Sequence, residues 1–240
     1  MHVGKTEFIV FGSGKRLKKA GNVTVNCNGS PVKRVSVVKY LGVLLGEALT
    51  GKEQAESVIK TCAGRLSFLY RKAAFLNFEC RKMLASSLIQ PHIDYCASSW
   101  YEGLTKQLKR KLDVLQRRML RFVFLKGPRD HVGINELKSL SWLSVPQRVK
   151  YFSLVHVFKI CLGLAPNYLS PLFVPNEMVH SHGTRGLICN YHVSRNLAKA
   201  PTSFAFMAIK HWNSLPISFK SNGSLNQFKI KLKSFLINEN

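Results

Sequence analysis

Residues 105–125 read T-K-Q-L-K-R-K-L-D-V-L-Q-R-R-M-L-R-F-V-F-L, and the period of this stretch decides what fold surrounds it. Leu108, Leu112, Leu115, Met119 and Phe122 follow one another at spacings of four, three, four and three. At about 100° per residue those side chains share one face of a helix and form a seam that asks to be buried. Lys106, Arg110, Arg117 and Arg121 fall at spacings of four, seven and four on a second narrow stripe, which Lys111 and Arg118 widen on one side. Thr105 is placed to cap the helix and Gly127-Pro128 to stop it. A helix with one apolar seam needs other elements to cover it, so a helical bundle is predicted here.

The flanking sequence agrees. Ala55, Val58, Cys62, Leu66 and Leu69 recur at helical spacing upstream, and residues 79–88 form a second helical stretch that Pro91 ends or kinks. Downstream, Ser144 and Pro146 open a further helix that Gly163 and Pro166 close. Residues 166–200 read as irregular, with Pro171, Pro175 and Gly183 as breakers. Helical pieces over 203–212 and 225–237, the latter capped by Ser224, complete the chain. The first fifty residues differ. Residues 6–11 (T-E-F-I-V-F), 23–27 (V-T-V-N-C) and 35–45 read as strands, and Asn28-Gly29 is a hairpin dipeptide. Gly12-Ser13-Gly14-Lys15 lacks phosphate-loop spacing and reads as a basic turn between strands. The predicted class is α+β, with a short β segment over 1–50, a helical bundle over 51–126, and a helical C-terminal region over 127–240 that includes the irregular 166–200 segment.

Thirty-six Lys and Arg stand against twelve Asp and Glu in 240 residues, a formal charge of +24. Self-repulsion on that scale calls for a polyanionic partner, and cations set on phosphates release condensed counterions. A disordered basic tail is excluded, because 46% of residues are hydrophobic and 10% aromatic, enough for a core. The cationic stripe Lys106, Arg110, Lys111, Arg117, Arg118 and Arg121 is therefore the candidate contact for an RNA or DNA backbone, giving affinity without sequence choice. The competing reading is a solvated helix face, with Asp113 and Arg117 as an i,i+4 pair.

No apolar run approaches the ~18 residues of a membrane span, and no secretory leader opens the sequence, so no membrane contact is expected. Cys27, Cys62, Cys80, Cys96, Cys161 and Cys189 make no C-x-x-C pair and read as reduced thiols, packed as small hydrophobes, in a nuclear or cytoplasmic protein. His180, His182, Cys189 and His192 crowd into thirteen residues, but their spacing fits no zinc pattern and reads as a loop with incidental histidines. Asp94 reads as a local cap or ion-pair partner, not as a catalytic acid. Trp212 reads as core and not as a base-stacking platform, since Phe204, Phe206, Met207 and Ile209 precede it.

Several stretches together resemble the C-terminal part of the reverse transcriptase of non-LTR (LINE-type) retrotransposons. They are Lys5-Thr6-Glu7 leading to Phe11; Lys39-Tyr40-Leu41-Gly42-Val43; Leu88-Ile89-Gln90-Pro91-His92-Ile93-Asp94-Tyr95-Cys96 with Trp100; and Leu115-Gln116-Arg117-Arg118 with Arg121. Thr184-Arg185-Gly186, Trp212-Asn213-Ser214-Leu215-Pro216 and Ser224-Leu225-Asn226-Gln227-Phe228-Lys229 with Leu232 complete the set. Their order across nearly the whole chain is more specific than any one of them. The sequence departs from the family soon after the L-G motif, where an acidic residue and W-x-x-H-I are usual and Gly46, Gly51, Gln54 and Ala55 stand instead.

The resemblance implies a late-palm remnant over 1–50, a thumb-like bundle over 51–126 and the region that follows it. It also implies that the family's two-metal carboxylate pair, with its Mg2+, lies upstream of Met1. No two acidic residues are adjacent anywhere in the sequence. The expectation is a truncated reverse transcriptase with residual nucleic-acid binding and no catalytic or metal-binding residues or cofactor in this chain. Two alternatives stay open: a fragment active only with a palm-containing polymerase chain as partner, and a decayed frame or host interaction module without selected activity.

Overall fold

The computed structural model describes residues 6–21, 23–179, 189–220 and 223–239. Short strands lie at the N-terminal end and a mainly helical body follows, so the fold is α+β. Strand β1 (Glu7–Phe8) runs parallel to β3 (Ser30–Arg34), which pairs on its other edge, antiparallel, with β2 (Val25–Cys27). Asn28 and Gly29, at φ 50° and 77°, supply the two left-handed residues that a two-residue hairpin demands, and Cys27 falls opposite Ser30. A second hairpin joins β4 (Val37–Tyr40) to β5 (Val43–Gly46).

Two expectations for this segment need correction. The strand read over 6–11 shrinks to two residues, which have β3 as their one strand neighbour among the described residues. The stretch read as a basic turn is helix α1 (Gly14–Ala20), whose first turn is capped by the Ser13 hydroxyl accepting from the Arg16 N–H. Ser13 followed by Lys, Arg and Leu is a helix start, and the flanking glycines hid it.

The body begins with α2 (Lys52–Tyr70), α3 (Phe78–Leu88), the short α4 (Gln90–Asp94) and α5 (Ala97–Trp100), and then α6 (Lys106–Phe124). Pro91 sits in the first turn of α4, where its missing N–H leaves no bond unmade, so it restarts the chain as a new helix. All five seam residues of α6 and all five apolar positions read on α2 are buried in one core running from Val43 to Val149. Arg81 is buried against the end of α6, its Nε donating to the Val123 carbonyl at 2.8 Å, one of the terminal carbonyls that the helix cannot satisfy itself.

Helix α7 (Ile134–Ser139) was not foreseen, because its N-cap is Gly133 and carries no capping side chain. Glu136 does the work from the other end, accepting from the Gly133 N–H at 2.7 Å and from Lys126 at 2.6 Å. Those bonds hold its carboxyl far down, at about 2.

Helix α8 (Val145–Cys161) starts at Ser144, where the Gln147 side chain reaches back to the Ser144 N–H. It carries residues of both cores. The second core gathers α8 with α10 (Phe204–Asn213) and α11 (Leu225–Asn238) around Phe158, which stacks on Phe228 with centroids 4.1 Å apart. Between them, the described residues of 166–200 form 3-10 turns at Asn167–Leu172 and Asn176–Met178 and a single turn of helix, α9 (Arg195–Ala198). Trp212 is core, as read from its neighbours, and its indole N–H donates to the Cys189 carbonyl at 2.9 Å. Lys5, His180, His182, Gly183 and Thr184-Arg185-Gly186 lie outside the described residues.

Candidate nucleic-acid interface

Helix α6 is clamped on three sides before any of its cations is considered. The Thr105 hydroxyl accepts from the Leu108 N–H at its start. The Tyr70 hydroxyl, at the end of α2, donates to the Arg118 carbonyl at 2.6 Å. On the α8 side, buried Gln116 donates to the Leu143 carbonyl at 2.9 Å and accepts from the Val145 N–H at 3.1 Å, tying α6 to the residues that open α8. A helix held this way presents its remaining face rigidly.

The six cations read as one stripe take three different positions. Lys106, Arg110, Lys111 and Arg117 are exposed and make no ion pair among the described residues. Arg118 is half-buried in a cleft beside α2. Arg121 is half-buried too, and its Nε donates to the Asp130 carbonyl at 3.1 Å, so it braces the loop after the helix. Lys109 sits among these residues but off the stripe, paired to Glu102 at 2.9 Å and lying over the Tyr101 ring. Asp113 is half-buried, and burial raises its pKa more than neighbouring Arg117 lowers it.

The cleft is a feature that periodicity on α6 alone missed. Its far wall is α2, which places Ile59 and Ala63 opposite Arg110, Lys111, Val114 and Arg118 around a hollow of about 430 Å³. A second hollow of similar volume continues past Arg118 to Tyr70, Arg121, Lys126 and Pro128. The signal was present on α2, where Ile59, Ala63 and Tyr70 recur at spacings of four and seven beside the core stripe.

The other candidates resolve as follows. Asp94 does not pair locally. It takes both Nε and Nη2 of Arg148, 54 residues on, and so ties α4 to α8. Among the described residues no three of His, Cys, Asp and Glu gather to hold a metal ion. The cysteines are less buried than read. Only Cys62 is fully enclosed, its thiol pushed up to about 11 by burial, while Cys96, Cys161 and Cys189 are exposed and Cys161 Sγ lies 2.9 Å from the Tyr191 hydroxyl. No described helix is long and apolar enough to cross a membrane.

The stretches quoted for the family resemblance touch one another. The Tyr95 hydroxyl donates to the Leu41 carbonyl at 2.7 Å, and its ring lies 3.4 Å from where a Cβ on Gly42 would be. Trp100 donates back to the Tyr95 carbonyl. The β4–β5 turn, α2 and α4 thereby enclose a third hollow of about 460 Å³, lined by Lys39, Gln54, His92 and Tyr95 among others. Burial and the nearby Arg65 charge both lower the His92 pKa, which disfavours a protonated imidazole there.

No protein-family profile matches the chain, and no solved structure matches it. It is similar to the retrovirus-related Pol polyprotein from type-1 retrotransposable element R1 2 of Nasonia vitripennis, with 26% identity over 181 residues. That match takes in 74% of this chain and 42% of the relative, so the chain spans less than half of the relative's length. The likeness supports a non-LTR retrotransposon origin for the chain.

Proposed function

We propose that this chain is the thumb-side, C-terminal part of a retrotransposon reverse transcriptase, and that it grips a nucleic-acid backbone without performing nucleotidyl transfer itself. The observation that carries the reading is the outward face of α6. Lys106, Arg110 and Arg117 stand exposed and without ion-pair partners among the described residues, on a helix locked by Tyr70 and Gln116, in a chain of net charge +24. Rigid, unpaired cations in a row suit regularly spaced phosphates, and nothing in that row reads a base edge. The Pol likeness supplies the context.

The carboxylates support the second half of the reading. Glu7, Glu47, Glu79, Glu102, Glu136, Glu239 and Asp94 are each paired to a Lys or Arg, and Asp130 accepts from the Gly127 N–H. Eight of the twelve acids are thus engaged in pairing or capping, which fits a stretch that supplies grip, while the chemistry of a polymerase would come from a palm elsewhere. Magnesium would belong to that palm.

The test is binding to a DNA duplex and to an RNA–DNA hybrid over a salt series. Affinity should fall steeply with salt and depend little on sequence. Arg110→Glu with Arg117→Glu should lower the slope of log affinity against log salt by about 2, one unit for each lost phosphate contact. A salt-independent affinity, or a slope that the double variant leaves unchanged, rejects the interface.

A further inference from the structure

The outward face of α6 and its cleft side are chemically unlike. The cleft is floored by Ile59, Ala63, Val114 and Leu115, and its lining is mostly apolar, with Val114 46% exposed at its centre. Cations border that floor on the α6 side, where Lys111 and Arg118 flank Val114. The phosphates of a nucleic-acid backbone, which the cations of the outward row suit, have nothing apolar to set on such a floor. Bases have an apolar face and stack on aromatic rings, but no aromatic residue lines this hollow; Tyr70 stands only in the hollow that follows past Arg118. An apolar groove between two helices with a charged border is the site for an amphipathic helix, whose anchors at i, i+4 and i+7 fill the floor while its flanks meet the border. Here the border is basic, and a partner with flanking carboxylates complements it.

We propose that the α2–α6 cleft is a docking site for an acidic amphipathic helix of another protein. Its apolar anchors lie over Ala63 and Val114, and its carboxylates reach Lys111, Arg118 and the neighbouring Arg110. The small side chain of Ala63 keeps the α2 wall low, so a helix can approach closely there. The site meets the outward row at Arg110, which lines the cleft, and leaves Lys106 and Arg117 outside it.

The probe is a synthetic helical peptide of about 16 residues, long enough to run the length of the cleft, with Leu at i, i+4, i+7 and i+11 and Glu on the flanks. Fluorescence anisotropy with the full chain should show saturable binding. A scrambled peptide of the same composition, with no apolar face, should bind at least tenfold more weakly. Val114→Glu should weaken the intact peptide tenfold or more, and Val114→Ser, which removes the apolar contact without adding charge, should weaken it about threefold. Circular dichroism of both variants confirms that α6 persists. Arg117→Glu should alter peptide affinity less than twofold while weakening duplex binding. Equal binding of the scrambled peptide would reduce the effect to bulk charge and overturn the proposal. A duplex whose affinity falls with Val114→Ser as much as the peptide's would mark the cleft as a nucleic-acid site and overturn it as well.

Discussion

Gly51 opens α2 at φ 74°, and a Cβ there would drive into the Trp100 carbonyl. Gly46 is less constrained, since a Cβ there would lie 2.5 Å from the Glu53 carboxyl carbon, the end of a side chain that can swing away. These two glycines are departures from the family pattern, and loss of a family residue reads in sequence as relaxed constraint. In this fold Gly51 is a position where no side chain fits, and Gly46 is one where Glu53 would have to give way. Gly51→Ala should therefore destabilise the chain by about 1–3 kcal/mol, from backbone strain and the clash together. Gly64→Ala, inside the same helix but with open space around it, should stabilise by about 0.5–1 kcal/mol. Urea midpoints of the two variants should move in opposite directions, and a shared direction would refute the packing argument. Glu136 offers a second test at this scale. Its pKa falls from 4.5 to about 2 on folding, so its contribution is present above pH 4.5 and is lost as the pH drops toward 2. In Glu136→Gln, stability should be lower at pH 7 and fall less between pH 5 and pH 2, as followed by urea unfolding at each pH.

Among the elements, α6 was the most legible and its partners the least. Its seam, its Thr105 cap and its stop before Gly127-Pro128 follow from local spacing, and each is where it was expected. Gln116 lay on neither the seam nor the stripe, yet it is buried and holds two backbone groups of the 143–145 segment. A lone polar residue beside an apolar seam carries no local mark of its partner, because that partner lies 27 residues away. Replacing Gln116 with Leu should cost about 1–3 kcal/mol by leaving the Leu143 carbonyl and the Val145 N–H unpaired in the core. Gln107→Leu, on the exposed side of α6, should change stability by less than about 0.5 kcal/mol. Denaturant unfolding of the pair checks both numbers. The same limit explains the interface. Spacing identified six cations as a set, but the fold divided them, because α2 covers one flank of α6 and the loop at Asp130 takes Arg121.

At the scale of the whole molecule, charge and connectivity dominate. A surplus of twenty-four positive charges repels itself in the compact state, and two of the ion pairs that offset it, Lys33–Glu7 and Lys82–Glu79, are exposed and screened. Screening should therefore stabilise the chain. Raising sodium chloride from 20 to 300 mM should lift the Tm by about 2–8 °C, the shift that 1–2 kcal/mol produces at this size. A falling Tm would mean that the attractive pairs outweigh the repulsion. The two cores share α8 and are tied through it by contacts far apart in sequence: Asp94 to Arg148, and Gln147 to the Leu236 carbonyl at 2.6 Å. The amino-acid sequence alone determined the class, the long helices, the Asn28-Gly29 hairpin and the cationic character of α6, because periodicity, capping, turn chemistry and net charge act between near neighbours or on the chain as a whole. Only the tertiary structure decided which cations face outward, why Gly51 cannot carry a side chain, where Asp94 finds its partner, and that an apolar cleft lies beside a basic face. Each of those depends on two segments meeting, and which side chains meet is set by how the helices pack and not by any residue's own spacing.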